Sequence, residues 1–443
     1  MGSIVNDSIM DQKPVRIYVR RETQRLRYIA GIILGDILGL SWDIVTDRRK
    51  LVKQYVINYS DEEIPDSFSI IPASILFENG IIEKEITVFR WKDMPVFFPA
   101  TEGSDLPFDI FAASFYLITR YEEYCNFEPD EFGRFSASSS LAFKNGFLDV
   151  PVIDLWTKEF TRQLIRKFRS LVFRRNEFSS IVTFDADEPF EYLGKNIFRS
   201  LGGLLRDLTV SEKQASRRYQ TVAGKKPDPF EVFGYISDCL EKYGSDSRFF
   251  FPTGDRTKFD HNPSWKNEEY RSLILRLAGK FKYGVHPSFT AAEDLVPLQK
   301  EVSRLRTITG NNITRNRFHY IRLKFPDSYY NLIRNDITED YSMGYPDEPG
   351  FRAGIARPYY FYDPMDDVET RLKVFPFQVM DVTLYSYKKL DPIASDELIN
   401  KMINETRKAG GVFVSIWHNT SLLDNEECKP WRELFETMLQ AQR

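Results

Sequence analysis

The feature that most constrains the fold is a regular alternation of strand-like and helix-like segments after Phe178. Short apolar runs, such as SSIVTF from Ser179 and GVFVSIW from Gly411, alternate with stretches long enough for a helix. One of these stretches, YLGKNIFRSLGGLLRDL, predicts a helix soon after the first strand. Strand–helix alternation at this spacing predicts a parallel sheet with crossover helices. We therefore predict an α/β fold, an irregular (β/α) barrel of about seven strands, with an open doubly wound sheet as the second choice.

The residues before Phe178 predict a separate, smaller domain. They mix short strand-like runs, such as VRIYVRR and KEITVFRW, with a long amphipathic helix from Val152 to Val172. The polar stretch RRNEFSS follows this helix and is the candidate joint. We predict an N-terminal α+β domain of unknown role over residues 1–175 and the barrel over residues 178–443, a division that suits a chain of 443 residues.

Charge and cysteine content exclude several classes of protein. A net charge of −4 gives no electrostatic basis for binding nucleic acid or an anionic membrane surface. The three cysteines are far apart and form no CxxC motif, which argues against a disulfide framework or a thiolate zinc site. The longest apolar region, Tyr28–Leu40, contains Asp36 and is shorter than the roughly 20 residues that a spanning helix needs. The start of the chain lacks the apolar stretch of a signal peptide, so we expect a cytoplasmic protein.

Potential ligands and bases follow the predicted strands of the second region. The strand-end residues are Asp185 with Asp187, His286, Arg317 with His319, and His418. The carboxyl ends of barrel strands meet at one mouth, so we expect these side chains to converge. Carboxylate and imidazole suit zinc and similar divalent ions. Strand alternation lets both aspartates face the mouth, one as a metal ligand and the other as a base, while Arg317 keeps a carboxylate ionised. The fourth histidine, His261, is predicted to lie in a surface loop.

These residues resemble the motifs of the polysaccharide deacetylase family over residues 178–443. TFDAD is similar to the first motif of that family, with one residue inserted, and implies that Asp185 is the catalytic base and Asp187 a metal ligand. HPSFT is similar to the second motif and implies that His286 is a ligand. Thr290 stands where the family has a second histidine, so we predict that His319 replaces it as the third ligand.

The later motifs complete the resemblance. RNRFH implies that Arg317 orients the catalytic base, and SIWHN implies that His418 is the general acid. A divergent branch of the family, in which the barrel follows an uncharacterised α+β domain, is the most similar pattern. The stretch DYSMGYPDEPGFRAG also resembles that branch and suits a loop that shapes a sugar groove. The predicted substrate contacts are Tyr341, Tyr345, Phe351, Arg352 and Trp417.

The resemblance implies a metal-dependent hydrolase that removes acetyl groups from an N-acetylated polysaccharide or oligosaccharide. Zinc is the expected ion, with nickel or cobalt as alternatives, and an O-acetyl ester would follow the same course. The expected partner is a carbohydrate substrate, and the sequence does not indicate which sugar or which oligomeric state.

Three other functions fit part of the pattern. A nucleotide-sugar glycosyltransferase also holds a metal with Asp-x-Asp after an apolar strand, but it needs a nucleotide-binding half that begins with a parallel strand, which the first 175 residues do not suggest. A glycoside hydrolase barrel needs only paired carboxylates and no metal. A carbohydrate-binding protein that has lost its metal is the third alternative.

Overall fold

The computed structural model describes residues 12–51, 55–193 and 211–443. Most of the helix predicted after the first barrel strand, and the first 11 residues of the chain, lie outside these ranges. The strands are β1 (Val15–Tyr18), β2 (Trp42–Val45), β3 (Tyr55–Asn58), β4 (Phe68–Ser69), β5 (Phe89–Trp91), β6 (Met94–Val96), β7 (Ser179–Asp185), β8 (Ser247–Phe251), β9 (Lys282–Val285), β10 (Arg315–Asn316), β11 (Glu339–Asp340), β12 (Tyr359–Asp363), β13 (Val368–Val374), β14 (Val379–Met380) and β15 (Val412–His418).

The helices lie between and after these strands. They are α1 (Gln24–Ala30), α2 (Ile110–Ile118), α3 (Leu141–Lys144), α4 (Val152–Lys167), α5 (Glu212–Val222), α6 (Phe233–Tyr243), α7 (Glu268–Ala278), α8 (Leu295–Thr309), α9 (Asp327–Arg334), α10 (Pro392–Ala409) and α11 (Lys429–Ala441). Several begin at a capping side chain, as Asn267 caps α7 and Asp391 caps α10. Within the described residues, none of the helices combines the length and apolar character needed to cross a membrane.

The first region contains a four-stranded sheet in the order β2-β1-β3-β4. Val15 pairs with Trp42 on one side and with Tyr55 on the other, and every pairing in this sheet is parallel. The prediction of an α+β domain did not anticipate this arrangement, because strands of two to four residues show too little alternation for their partners to be inferred. The expectation that the first 175 residues lack an early parallel strand is therefore wrong.

The second region contains a nine-stranded sheet in the order β12-β13-β11-β10-β9-β8-β7-β15-β14. All its pairings are parallel except that of β12 with β13. The predicted α/β class is confirmed, with a large parallel sheet and helices between its strands. Among the described residues the pairings do not form a closed ring of strands, and the two sheets share no strand pair. The division into domains at residues 175–178 stays a prediction.

Side-chain alternation gives the large sheet two different faces. Phe184 in β7 and Trp417 in β15 belong to the main hydrophobic core, which includes residues of the helices. Ile181, Val414 and Ile416 point the other way, into a separate small apolar cluster. Because side chains two residues apart share a face of a strand, Thr183, Asp185 and His418 lie on the same face as this small cluster. The polar residues at the strand ends therefore lie next to this small apolar cluster, on the same face of the sheet.

A buried ionic cluster joins the two regions. Arg352 contacts the carboxylate of Glu123 with two nitrogens, at 2.9 and 2.6 Å, and Arg120 contacts it at 2.7 Å. Arg120 also donates to the hydroxyl of Tyr345 at 2.9 Å. All these side chains are almost fully buried. Arg120 also pairs with Glu122 at 2.8 Å, so Arg352 depends more strongly than Arg120 on the carboxylate of Glu123 for its burial.

We expect Glu123→Gln to lower the free energy of unfolding by about 3–5 kcal/mol, because it removes the carboxylate that pairs with the buried guanidinium of Arg352 and leaves Arg120 with Glu122 as its remaining carboxylate partner. Urea denaturation of the full chain measures the change. The matched control is Glu102→Gln at an exposed position, which should stay within about 0.5 kcal/mol of the wild type. Equal stability of both variants would contradict the role given to this cluster.

Candidate metal and acid–base site

The candidate site lies at the carboxyl ends of β10, β9, β7 and β15 in the large sheet. Asp185 and His418 are the last residues of β7 and β15 and pair directly in the sheet register. His286 follows the last residue of β9, and the Arg317 N–H donates to the carbonyl of Val285 at 3.1 Å. The four strand ends thus lie at the same edge of the sheet, with the end of β8 between those of β9 and β7.

Three imidazole rings in this site are fixed through the same nitrogen. His286 Nδ1 lies 2.6 Å from the Arg317 carbonyl, His319 Nδ1 lies 3.0 Å from Asp260, and His418 Nδ1 lies 2.7 Å from Asp381. Carbonyl and carboxylate oxygens only accept hydrogen bonds, so each Nδ1 carries the hydrogen and donates it. In the neutral ring the other nitrogen, Nε2, is then a free electron-pair donor.

The three free nitrogens converge on Asp187. Its carboxylate oxygens lie 3.0 Å from Nε2 of His286, 3.5 Å from Nε2 of His319 and 3.6 Å from Nε2 of His418. An electron pair on nitrogen and a carboxylate oxygen repel each other unless a proton or a cation lies between them. The arrangement therefore requires positive charge at this point.

A divalent metal fits the site. Ligand atoms of Asp187, His286 and His319 all lie within 4.8 Å of one another. Asp187 Oδ1 and His286 Nε2 are buried and have no hydrogen-bond partner among the described residues, which is unusual for buried polar atoms. One carboxylate and two imidazoles, with their outer nitrogens bonded to fixed oxygens, form a donor set typical of zinc.

The second carboxylate, Asp185, is held from below by Arg317. Arg317 Nη1 lies 3.6 Å from Asp185 Oδ2, and Nη2 donates to the Thr183 hydroxyl at 2.7 Å. The guanidinium is fully buried and lies over the rings of Phe250 and Phe377, at 5.1 and 5.5 Å from their centres. Asp185 also lies 4.0 Å from Nε2 of His286. Asp185 therefore lies close to Asp187, His286 and His319 but does not belong to the group of three whose ligand atoms are all within 4.8 Å of one another.

The charges of the site reinforce one another. Burial favours the neutral acid, but the charges of His319 and His286 outweigh it and hold the pKa of Asp187 well below its ordinary range. Burial also opposes charge on the rings, yet Asp187 and Asp260 raise the pKa of His319 to about 10. In the same way, burial is outweighed at His418, where Asp381, followed by Asp187, raises the pKa to about 9. The protein alone thus satisfies the need for positive charge by protonating histidines, which a metal would displace.

The site opens into a cleft of about 380 Å³. Five of the six predicted metal and catalytic residues line it, and Arg317 lies beneath it. Their roles stay predictions. The cleft is also lined by residues outside the predicted set, among them Arg134, Phe230, Tyr320, Tyr385, Tyr387 and Asn419.

The five predicted substrate contacts do not line this cleft, and the structure corrects that expectation. Tyr341, Tyr345, Phe351, Arg352 and Trp417 are all buried, with 2% exposure or less. Trp417 faces the helix side of β15, where its ring packs against Phe435 at 5.1 Å, because alternation turns it away from His418. Arg352 is held by Glu123, and Tyr341 lies in the small apolar cluster. In the loop over residues 340–354, Pro346 lines the cleft, whereas Phe351 and Arg352 are bonded to residues of the first region.

Two functional candidates were missed by the sequence reasoning. Asp260 lies beside His261 in KFDHNPSW and also accepts from the backbone N–H of Phe289 at 3.0 Å. Asp381 follows β14 and accepts from the backbone N–H of His418 at 2.8 Å. Asp381 obeys the same strand-end rule as Asp185, but a two-residue strand gives no readable periodicity. His261 is about half exposed and contacts Glu188 at the surface, as predicted for a loop residue.

Comparison with known proteins gives matches to parts of the chain. Residues 15–169 match the model of a family of unknown function, DUF7033. No curated protein matches the chain.

Among solved structures, a proposed polysaccharide deacetylase from Mycobacterium smegmatis is 15% identical, with 60% of this chain and 84% of that chain covered at a TM-score of 0.39. A CE4 family pseudoenzyme from Bacillus anthracis is 9% identical, with 61% and 62% covered at 0.31. IcaB from Ammonifex degensii is 12% identical, with 38% and 84% covered at 0.22. At these TM-scores the likeness indicates nothing about activity.

We expect Asp381→Asn to lower the pKa of His418 from about 9 by roughly one unit or more. Burial of the ring lowers this pKa, and without the charge of Asp381 it is opposed only by the weaker effects of Asp187 and Asp185. Histidine-detected NMR titration of the metal-free protein measures the midpoint. Asp366→Asn, at an exposed position, is the control and should leave the midpoint unchanged. A midpoint that stays near 9 in Asp381→Asn would contradict the pairing of these two residues.

A buried glutamate supports the segment after His286. The carboxylate of Glu301 accepts from the Ser288 N–H at 2.8 Å and from its hydroxyl. Burial raises the pKa of Glu301 from 4.5 to about 7, although the hydrogen bonds from Ser288 oppose this. The folded protein therefore binds a proton that the unfolded chain releases between pH 4.5 and 7, and this contribution to stability is lost as the pH rises through that window.

We expect the stability of the wild type relative to Glu301→Gln to fall by about 3 kcal/mol between pH 4.5 and 7.5, because glutamine cannot titrate. Urea denaturation at a series of pH values measures the difference. Glu268→Gln at an exposed helix start is the control and should show no such slope. A difference that rises with pH would contradict the sign of the shift.

Proposed function

We propose that the chain is a metal-dependent hydrolase that removes acetyl groups from an N-acetylated carbohydrate. The observation that carries the proposal is the convergence of three Nδ1-bonded imidazoles on Asp187, with Asp185 and its arginine directly beside them. The motif resemblance of TFDAD, HPS and SIWH adds to it. A hydrolase of this kind needs a cation, a base and an acid within a few ångströms of one scissile bond, and the cleft offers a candidate for each.

In this proposal Asp187, His286 and His319 hold the metal. Zinc is the ion that this donor set favours, with nickel and cobalt as alternatives. When bound, a divalent ion supplies Lewis-acid polarisation of the acetyl carbonyl and lowers the pKa of a coordinated water. Asp260 holds His319 in the tautomer that presents Nε2, and the Arg317 carbonyl does the same for His286.

Asp185 is the proposed general base. Arg317 Nη1 lies 3.6 Å from its carboxylate, which is placed at the cleft where a base would accept a proton from water. The fixed guanidinium, bonded to Thr183 and packed on two rings, keeps the carboxylate oriented toward the cleft. We assign the metal to Asp187 and the base to Asp185 because Nε2 atoms of three histidines lie near the Asp187 carboxylate and that of one histidine lies near Asp185.

His418 is the proposed general acid. Its Nδ1 donates to Asp381, which favours the protonated ring and leaves the Nε2–H as the proton to be given to the leaving amine. Asp381 is itself fixed by the backbone N–H of His418 and by the hydroxyl of Ser421. Ligand atoms of His418 do not belong to the mutually close group around the metal, which suits a proton donor better than a ligand.

We also infer that the large sheet curls into an irregular barrel. Residues 368–380 run from β13, beside β11, directly to β14, beside β15. Between these strands Phe377 N–H donates to the Met343 carbonyl and Gln378 N–H donates to the Val414 carbonyl, both at 2.9 Å. One continuous segment thus bonds to both ends of the row β7–β11 and β15, which supports a seven-stranded barrel.

The alternatives have less support. The parallel strands β1–β4 meet one requirement of a nucleotide-sugar glycosyltransferase, but none of their residues lines the cleft at Asp185 and Asp187. A metal-free glycoside hydrolase leaves the convergence of three histidines on one carboxylate without a purpose. A metal-free binding protein is the outcome if the first test below fails.

We expect Asp187→Ala and His286→Ala to abolish both stoichiometric metal content and acetate release from N-acetylated oligosaccharides, because each removes a ligand. Asp185→Asn should retain the metal and lose about 10²–10⁴-fold in kcat, the usual contribution of a general base. Elemental analysis of the purified protein and an acetate assay measure the two effects.

His261→Ala is the matched histidine control and should leave both properties unchanged, since His261 is half exposed at the surface. Unaltered metal content in both ligand variants would contradict the assignment of the site. Hydrolysis that survives removal of the metal by a chelator would favour the metal-free glycosidase.

A further inference from the structure

The residue after the third proposed ligand has a strained backbone. Tyr320 has a φ of 59° and Ile321 a φ of 54°, so two consecutive non-glycine residues lie in the left-handed region. Such conformations cost free energy and persist where surrounding contacts fix them, often beside functional sites. The contacts that hold Tyr320 in this conformation therefore indicate its functional role.

Those contacts come from residues 130–134 of the first region. Arg134 Nη1 donates to the backbone carbonyl of Tyr320 at 2.7 Å, and the ring of Phe132 packs on the Tyr320 ring with centres 5.1 Å apart. Arg322, just after the strained pair, donates to the carbonyl of Phe132 at 3.0 Å. Arg134 is only 4% exposed and is oriented by Asp130, whose carboxylate accepts from its Nε at 2.8 Å. Both sides of the turn are thus bonded to one short segment.

The ring held by this segment faces the cleft. Tyr320 lines the cleft, and its ring centre lies 4.5 Å from that of His319. Phe289 and Phe259 meet it edge to face at 5.5 and 5.8 Å, so with Phe132 three rings fix its orientation. The Tyr320 hydroxyl donates to the backbone carbonyl of Phe259 at 3.4 Å. A rigid aromatic face beside the reacting atoms is a suitable surface for the apolar C–H face of a sugar ring.

We propose that Phe132 and Arg134 are positioning residues that hold Tyr320 as a platform for a sugar ring of the substrate. The region that precedes the large sheet thereby completes the substrate cleft and sets substrate affinity, while the strand ends supply the chemistry. This inference rests on the proposed function for the identity of the ligand class.

The test compares three variants of the full chain. Tyr320→Asn removes the ring but keeps a residue that tolerates the left-handed backbone, Phe132→Leu removes the supporting ring, and Arg134→Lys keeps the charge beside Asp130 but changes the donor geometry. The probe is a pentamer of β-1,4-linked N-acetylglucosamine. Calorimetry measures its affinity, acetate release gives KM and kcat, and elemental analysis gives metal content.

We expect Tyr320→Asn to weaken pentamer binding about fivefold or more. Phe132→Leu and Arg134→Lys should raise KM in the same direction, with kcat and metal content within about twofold of the wild type. The matched controls are Phe127→Leu and Arg162→Lys, an exposed aromatic and an exposed arginine of the same region that do not line the cleft. They should leave KM unchanged.

Two results would overturn the proposal. One is an unchanged pentamer affinity and KM in Phe132→Leu and Arg134→Lys. The other is loss of metal together with a fall in kcat, which would mean that the segment supports the metal centre instead of the platform. If the wild type releases no acetate, the proposed activity fails, but calorimetry still tests the role of Tyr320. An unchanged pentamer affinity in Tyr320→Asn would then overturn that role, and a weakened affinity would support it.

Discussion

The hydrogen bonds to the three imidazole Nδ1 atoms are the interactions on which the rest of the site depends. Each bond fixes a tautomer and a ring orientation, and together they direct the Nε2 electron pairs of His286, His319 and His418 toward Asp187. Without them the rings could rotate and pair with water, and Asp187 would be an ordinary partly exposed acid. Because the acceptors come from a strand end, a loop and another strand end, the site exists only when those elements are assembled.

The sheet provides that assembly through alternation and burial. Thr183 and Asp185 lie on one face of β7, and Thr183 both donates to the Ser415 carbonyl at 2.7 Å and accepts from Arg317. A buried guanidinium is costly unless it is bonded and packed. Here Phe250 and Phe377 provide the packing, the Thr183 hydroxyl accepts a hydrogen bond from Nη2, and the Asp185 carboxylate lies 3.6 Å from Nη1. Phe250 and Phe377 therefore fix the position of the Arg317 guanidinium, and the guanidinium in turn orients the carboxylate of Asp185.

Much of the site could be predicted from sequence because it follows long, clearly alternating strands. β7 and β15 have seven residues each, and their terminal Asp185 and His418 were identified from the pattern. Asp381 follows a strand of two residues, and Asp260 lies in a loop, so neither has a local signal. The loop from residue 340 to 354 was misjudged for a different reason. Its tyrosines and arginine look like surface contacts, but Glu123, more than 200 residues away in the chain, draws Arg352 into the interior.

That long-range contact has a consequence for the cleft. A buried Arg–Glu–Arg cluster contributes little net stability compared with apolar packing, because desolvation offsets its attraction, and its effect is to fix one relative placement of the groups it joins. Arg120 and Glu123 hold residues 344–352 on one side, and a few residues later Phe132 and Arg134 reach Tyr320 on the other. These are two of the places at which the first region is bonded to the second; others include Arg25 with Asp367 and Asp154 with Arg357. The same part of the first region therefore supplies both the buried ionic cluster and the contacts to Tyr320, whose ring lies beside His319.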